Sequence, residues 1–153
     1  MMGVDRNAAL ALTFPRYERV VERGELQAFA AAIGETDPVY LDPQAAVAAG
    51  HPDLPVPPTY FFSLELLAPR PFGYLDDLGI DIGSILHGSQ QFTYHDLAHA
   101  GDRLVITSRL VDVFEKSAGA LTFLVKESAF HRDEQLVATT SATVIVRRRP
   151  VPA

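Results

Sequence analysis

The chain has 153 residues, enough for one domain with a sizeable core, and its 48% hydrophobic and 21% charged content is that of an ordinary globular protein. Its formal net charge of -6 excludes a general nucleic-acid binder, because phosphate binding needs a basic face. Without cysteine, disulfides, thiolate catalysis and cysteine metal sites are excluded too. The one basic cluster, Arg147-Arg148-Arg149, reads as a solvated strand end. The apolar run Ala8 to Leu12 is too short for a signal-peptide core and lacks a basic flank. No apolar run is long enough to span a membrane. A soluble, cytoplasmic, single-domain protein over residues 1–153 is expected.

In chain order, Thr13 to Val21 predicts a first strand or extended entry. Leu26, Phe29, Ala30 and Ile33 then recur at helical spacing, with Gly34 placed as a C-terminal cap. A short second helix follows, with Asp42 as its cap, Pro43 in its first position and Gly50 at its end. Four prolines between His51 and Pro58 forbid regular structure. The segment "PPTYFFSLELLAP" predicts a helix ending at Pro69. Tyr60, Phe61, Phe62, Leu64, Leu66 and Leu67 surround it, so burial on nearly all sides is expected. Residues 70–83 read as a loop with Gly73, Gly79 and Gly83 as hinges.

Four strand-like runs complete the chain: "SILHGSQQFTYHD", "DRLVITSRLVDVFEK", "ALTFLVKESAF" and "QLVATTSATVIVRRR". Turns at His99–Asp102, Ser117–Gly119 and His131–Gln135 would join them as an antiparallel meander. The expected class is α+β, with helices on one side of the sheet. A long antiparallel sheet wrapped around a central buried helix is the hot-dog fold. Its bare edges and outer face imply dimerisation.

The stretches "AIGETDPVYLDPQAAVAAGHPDLPVPPTYF" and "LHGSQQFTYHDLAHAGDRL", with the closing hairpins, carry a resemblance. From about Phe14 to Arg147 the chain resembles the MaoC-like hydratase/dehydratases, and within them the N-terminal-type, fatty-acid-synthase-like dehydratase half. Active members of that family carry a turn reading Asp-x-Asn-Pro-aliphatic-His, whose Asp and His do the chemistry. Matched by position, Glu35 takes the acid place, Asp37 the asparagine place and Tyr40 the histidine place, while Pro38 and Val39 fit the pattern. The histidine is missing. The resemblance therefore implies a 3-hydroxyacyl or 2-enoyl thioester of CoA or acyl carrier protein as substrate. It also implies either a homodimer or a heterodimer with a chain that carries the motif.

Hydration of an enoyl thioester needs a base, an acid and donors for the charge growing on the thioester oxygen. A phenol, titrating near ~10, is a poor substitute for imidazole. Asp37 and Glu35 are the candidate bases, with Tyr40 as hydrogen-bond donor and His87 as a neighbour of the site. Each has a plain alternative: Asp37 as a turn former before proline, Glu35 as a solvated acid, His87 as a histidine bonded at a strand end. Pro58, Thr59 and Tyr60, at the amino end of the central helix, are candidate substrate contacts; Pro58 has no N–H, so the backbone donors would come from Thr59, Tyr60 and later residues. Phe72 and Tyr74 are candidate walls of an acyl tunnel, and the aromatic run from Tyr60 has a core alternative.

The other histidines suit solvent: His51 in the proline loop, with lining the cleft as its alternative, His95 and His99 flanking a turn, and His131 in a hairpin. No pair shows metal-ligand spacing, so neither a metal nor another cofactor is expected. Ser63 and Ser89 have no activating partner in the sequence. Arg16, Arg70 and Arg103 are candidate contacts for an acidic carrier protein, with ordinary surface positions as the alternative. Two further readings remain: a non-catalytic acyl-CoA-binding or assembly module, and a thioesterase using Glu65 in the central helix.

Overall fold

Helical signals crowd the first half of the chain and strand signals the second, and the elements follow that division. The computed structural model describes residues 3–148. It contains α1 (Arg6–Leu10), β1 (Tyr17–Val20), α2 (Arg23–Ala32), α3 (Pro43–Ala48), α4 (Tyr60–Leu66) and α5 (Gly73–Asp77). They are followed by β2 (Ile85–Tyr94), β3 (Arg103–Lys116), β4 (Leu121–Arg132) and β5 (Gln135–Arg147). Arg149 of the basic cluster lies outside the described residues.

The local signals act as their chemistry dictates. Gly34 adopts a φ of 75°, and the Glu35 N–H reaches back to the Ala30 carbonyl at 2.9 Å, closing α2. The Asp42 carboxylate caps α3 by accepting from the Gln44 N–H at 2.9 Å. Two helices were not expected. Asp5 caps α1 by accepting from the N–H groups of Asn7 and Ala8, and Ala9 is fully buried. Residues 73–77 form α5 rather than a loop, because Tyr74 and Leu75 are buried together on one side.

All strand pairs are antiparallel, in the order β1-β3-β4-β5-β2. The expected hairpin between β2 and β3 does not form. Tight turns pair β3 with β4 and β4 with β5, so β2 is left to pair with the far edge, from Ile85↔Val146 to Tyr94↔Ala138. The joining segment is held across the strand ends. His95 and Asp96 donate their N–H groups to the Val137 carbonyl, while Arg132 bonds Asp96, Asp102 and the Leu97 carbonyl. At Gly88 the β2 register slips between His87 and Ser89. A Cβ there would stand 2.9 Å from Ile145 Cδ1 and 3.0 Å from the Thr143 carbonyl, so the irregularity depends on glycine.

The inner face of the sheet is apolar: Leu104, Ile106, Leu124, Phe130, Ala138 and Val144 are buried along alternating positions. α4 lies against it, with Phe61 edge-on to Phe130 at 5.1 Å and Leu64 fully buried. Phe29 of α2 packs on Tyr60 from the other side. Burial around nearly the whole of α4 is not observed. The helix has only seven residues, and Leu66 and Leu67 in its last turn stand clear at 40% and 42% exposure. Ile33, at the end of the α2 stripe, is likewise exposed. Among the described residues no helix is long and apolar enough to cross a membrane.

Candidate active site

The acidic turn is built by its own carboxylates. Glu35 Oε1 accepts from the N–H groups of Thr36 and Asp37, both at 2.9 Å. Asp37 Oδ1 accepts from the Val39 N–H at 3.0 Å and caps a single 3-10 turn, Pro38–Tyr40. This turn rests on α2 and α3, where Gln27 donates to the Leu41 carbonyl. Asp37 is exposed, and Glu35 and Tyr40 are half-buried.

The proline loop is strapped to the segment that follows β2. The Val56 N–H donates to the Ala98 carbonyl at 2.8 Å, and the Ala100 N–H to the Leu54 carbonyl at 2.9 Å. The strap delivers Pro58 and Thr59, both exposed, to the amino end of α4. The Tyr94 hydroxyl fixes that end by donating to the Pro58 carbonyl at 2.7 Å. Tyr60 turns inward instead. Its hydroxyl donates to Glu25 Oε2 at 3.1 Å, Glu25 is ion-paired with Arg19, and Tyr17 beside them donates to the Leu67 carbonyl. Burial first, then the Glu25 charge, pushes the Tyr60 phenol up to about 12. Tyr60 is thus a neutral core donor whose hydroxyl is already engaged.

β2 supplies the opposite wall. His87 is exposed, and its ring meets Phe62 of α4 edge-on at 5.2 Å. Gln90, paired in register with buried Ala142, carries an amide whose nitrogen and oxygen are both buried without a protein partner. Buried amides are almost always bonded, and no group of the described chain serves this one. Among the described residues no hydrogen bond or ion pair joins His87 to Glu35, Asp37 or Tyr40.

Phe72 and Tyr74 belong to a second core with Leu110, Val113, Leu124 and Val144, the last of which pairs in register with His87. Tyr74 stacks at a tilt on Phe14, and the Lys126 ammonium stands about over both rings, 5.8 Å from Phe14 and 6.0 Å from Tyr74. Burial and the nearby Glu65 carboxylate push the Tyr74 phenol up to about 12. Glu65 itself is buried, bonded to Lys126 Nζ at 2.8 Å and to the Thr140 hydroxyl.

His51 and His99 are not free surface groups. His51 Nδ1 lies 3.0 Å from His99 Nε2, both rings are half-buried, and the pair joins the proline loop to the β2–β3 connection. Burial lowers the His99 pKa, opposed by Asp102. Among the described residues no group of three His, Asp or Glu side chains converges as a metal site. Reading the sequence missed Gln90, Lys126 and the histidine pair. The doubled glutamine inside a strand was the one local signal for Gln90. The others depend on contacts distant in the chain.

The FAS1-like, dehydratase domain region family matches residues 9–140. The chain belongs to this family. A UPF0336 protein of Streptomyces griseus is 35% identical over 133 residues, covering 87% of each chain. Another, from Saccharopolyspora erythraea, is 34% identical over 133 residues, covering 87% of this chain and 83% of the relative. The fold is the hot-dog fold of the MaoC-like dehydratases. It matches a chain of the HadBC 3R-hydroxyacyl-ACP dehydratase complex of Mycobacterium tuberculosis with a TM-score of 0.74, at 23% identity, over 87% of this chain and 92% of that one. A chain of the ChsH1-ChsH2 complex from the same organism matches with a TM-score of 0.72, at 23% identity and 94% coverage of each.

Proposed function

We propose that this family member is the substrate-holding subunit of a cytoplasmic acyl-thioester dehydratase or hydratase. Its substrate is a 3-hydroxyacyl or 2-enoyl chain on CoA or acyl carrier protein. The observation that carries the proposal is the Glu35–Tyr40 turn. A phenol stands where the motif-bearing relatives have imidazole, and one oxygen of each carboxylate is bound to backbone N–H groups. The HadBC and ChsH1-ChsH2 proteins are themselves complexes of two kinds of chain, which supports a division of labour here. In this reading the partner chain brings the base. This chain contributes the amino end of α4 after Pro58, the unpartnered Gln90 amide as a donor to the thioester oxygen, and His87 at the mouth. The free edge of β2, with Leu86 45% exposed, offers the second chain a strand to pair with.

A second reading rests on one detail. Glu35 Oε2 and Asp37 Oδ2 have no donor within the described chain, so a carboxylate-driven homodimer has oxygens to use. The thioesterase reading is weakened, because Glu65 is held by Lys126 and Thr140. The deciding experiment is hydration of crotonyl-CoA by the chain alone and mixed with a motif-bearing MaoC-like chain. Turnover only in the mixture is expected. Turnover by the chain alone that disappears in Asp37→Ala or Glu35→Ala selects the homodimer. No turnover in either, with no acyl-CoA binding, leaves an assembly module.

A further inference from the structure

We infer that the cavity between the carboxyl end of α4 and strands β3 and β4 binds a small amphipathic carboxylate. The apolar body would lie inside, and the carboxylate would sit at the mouth between Arg16 and Arg70. Its lining shares no residue with the thioester site proposed above, and the inference does not depend on that reading. The cavity has a volume of about 220 Å³ and lies at the seam of the two cores, bordered by Tyr17 and Ile106 of one and Phe14 of the other. Prolines 69 and 71 complete walls without competing N–H donors.

Charge decides how a ligand is oriented. At the floor, the Lys126 ammonium is already matched by the buried Glu65 carboxylate at 2.8 Å. An anion placed there would face Glu65 at short range in a poorly solvated setting. At the mouth the balance is different. Arg16 is exposed and has no acidic partner among the described residues. Arg70 has only Asp76, at 3.4 Å, with both side chains more than two-thirds exposed, an arrangement of little energetic weight. Two guanidinium groups beside an apolar cavity suit a planar carboxylate on a short aliphatic or aromatic body. A wholly apolar ligand would leave them without a role, and a phosphate without an apolar body would leave the cavity empty.

The test uses hexanoate as the probe and hexanol as its uncharged counterpart, followed by amide shifts of the full chain in heteronuclear NMR. Hexanoate is expected to shift the amides of Arg16, Tyr17, Ala68, Arg70, Ile106 and Lys126. Hexanol, and hexanoate on an Arg16→Glu/Arg70→Glu chain, should bind about tenfold more weakly or worse, as loss of charge-assisted bonds requires. Both arginines are on the surface, so that chain should fold normally. Ala68→Phe, which fills the mouth, should abolish the shifts while leaving the rest of the spectrum in place. Equal binding of hexanol, indifference to the arginine substitutions, or shifts confined to Phe62, His87 and the proline loop would overturn the proposal.

Discussion

Glu35 and Asp37 lie on a surface turn and accept backbone N–H groups from their immediate neighbours, whereas Glu65 is on the buried side of α4 and is held by Lys126 and Thr140, 61 and 75 positions away. The first pair is conspicuous in the sequence and cheap to solvate. The second arrangement is inconspicuous and depends on the fold. The difference shows where removal of a charge should hurt: a turn carboxylate can be replaced by water, but a buried ion pair cannot be halved without stranding its partner.

Lys126→Met is expected to have the largest effect. It leaves Glu65 charged and buried without its cation, which costs roughly 3–5 kcal/mol. A shift of the urea midpoint at unchanged slope would measure it. Glu65→Leu combined with Lys126→Met should recover most of that loss, and failure of the double change to recover would mean the pair contributes more than neutralisation. Thr140→Val, close in volume, removes only the hydroxyl donor to Glu65 and should cost about 1.5–3 kcal/mol, the range for a bond to a charged group. On the turn, Glu35→Ala and Asp37→Ala should each cost about 1 kcal/mol, as lost caps do. A much larger cost at either would show that the turn is coupled to the core and would erase the contrast with Glu65.

The smallest effect concerns the proline loop and depends on pH. His99 has a lowered pKa, from burial first, with His51 and Arg132 acting in the same sense and Asp102 and Asp96 opposing. The folded chain therefore binds fewer protons at this site than the unfolded chain. Its contribution is fully present above the ordinary imidazole value of about 6.5 and is lost as pH falls through the folded value. Thermal unfolding between about pH 7.5 and pH 5.5 should show a downward slope that His99→Gln makes shallower. An identical slope in the variant would assign the pH dependence to other groups.

Much of this architecture can be read without coordinates. Gly34, Asp42, Pro43 and Gly50 act on residues within one turn of themselves, so their sequence positions suffice to place the ends of α2 and α3. Runs of β-branched and aromatic residues between turn signals place β3 to β5, and the aromatic run from Tyr60 places the central helix. Three features resist such reading. β2 pairs with β5 rather than with its sequence neighbour, because that choice is made by which edge is left free once the tight hairpins have closed. Leu66 and Leu67 look like core but stand outside, because a seven-residue helix covers only part of a curved sheet. Glu65, late in an apolar helix, can be read as a buried carboxylate, but its partner cannot, because Lys126 reaches it from β4, 61 positions away.

By itself, then, the sequence determined what depends on near neighbours: caps, breakers, strand-forming runs and the acidic turn with Tyr40 at its end. The tertiary structure alone decided the order of strands, the pairing of His51 with His99, the isolation of the Gln90 amide and the neutralisation of Glu65. Those properties arise from residues separated by tens of positions, and local chemistry does not specify which of several compatible partners a folding chain will bring together.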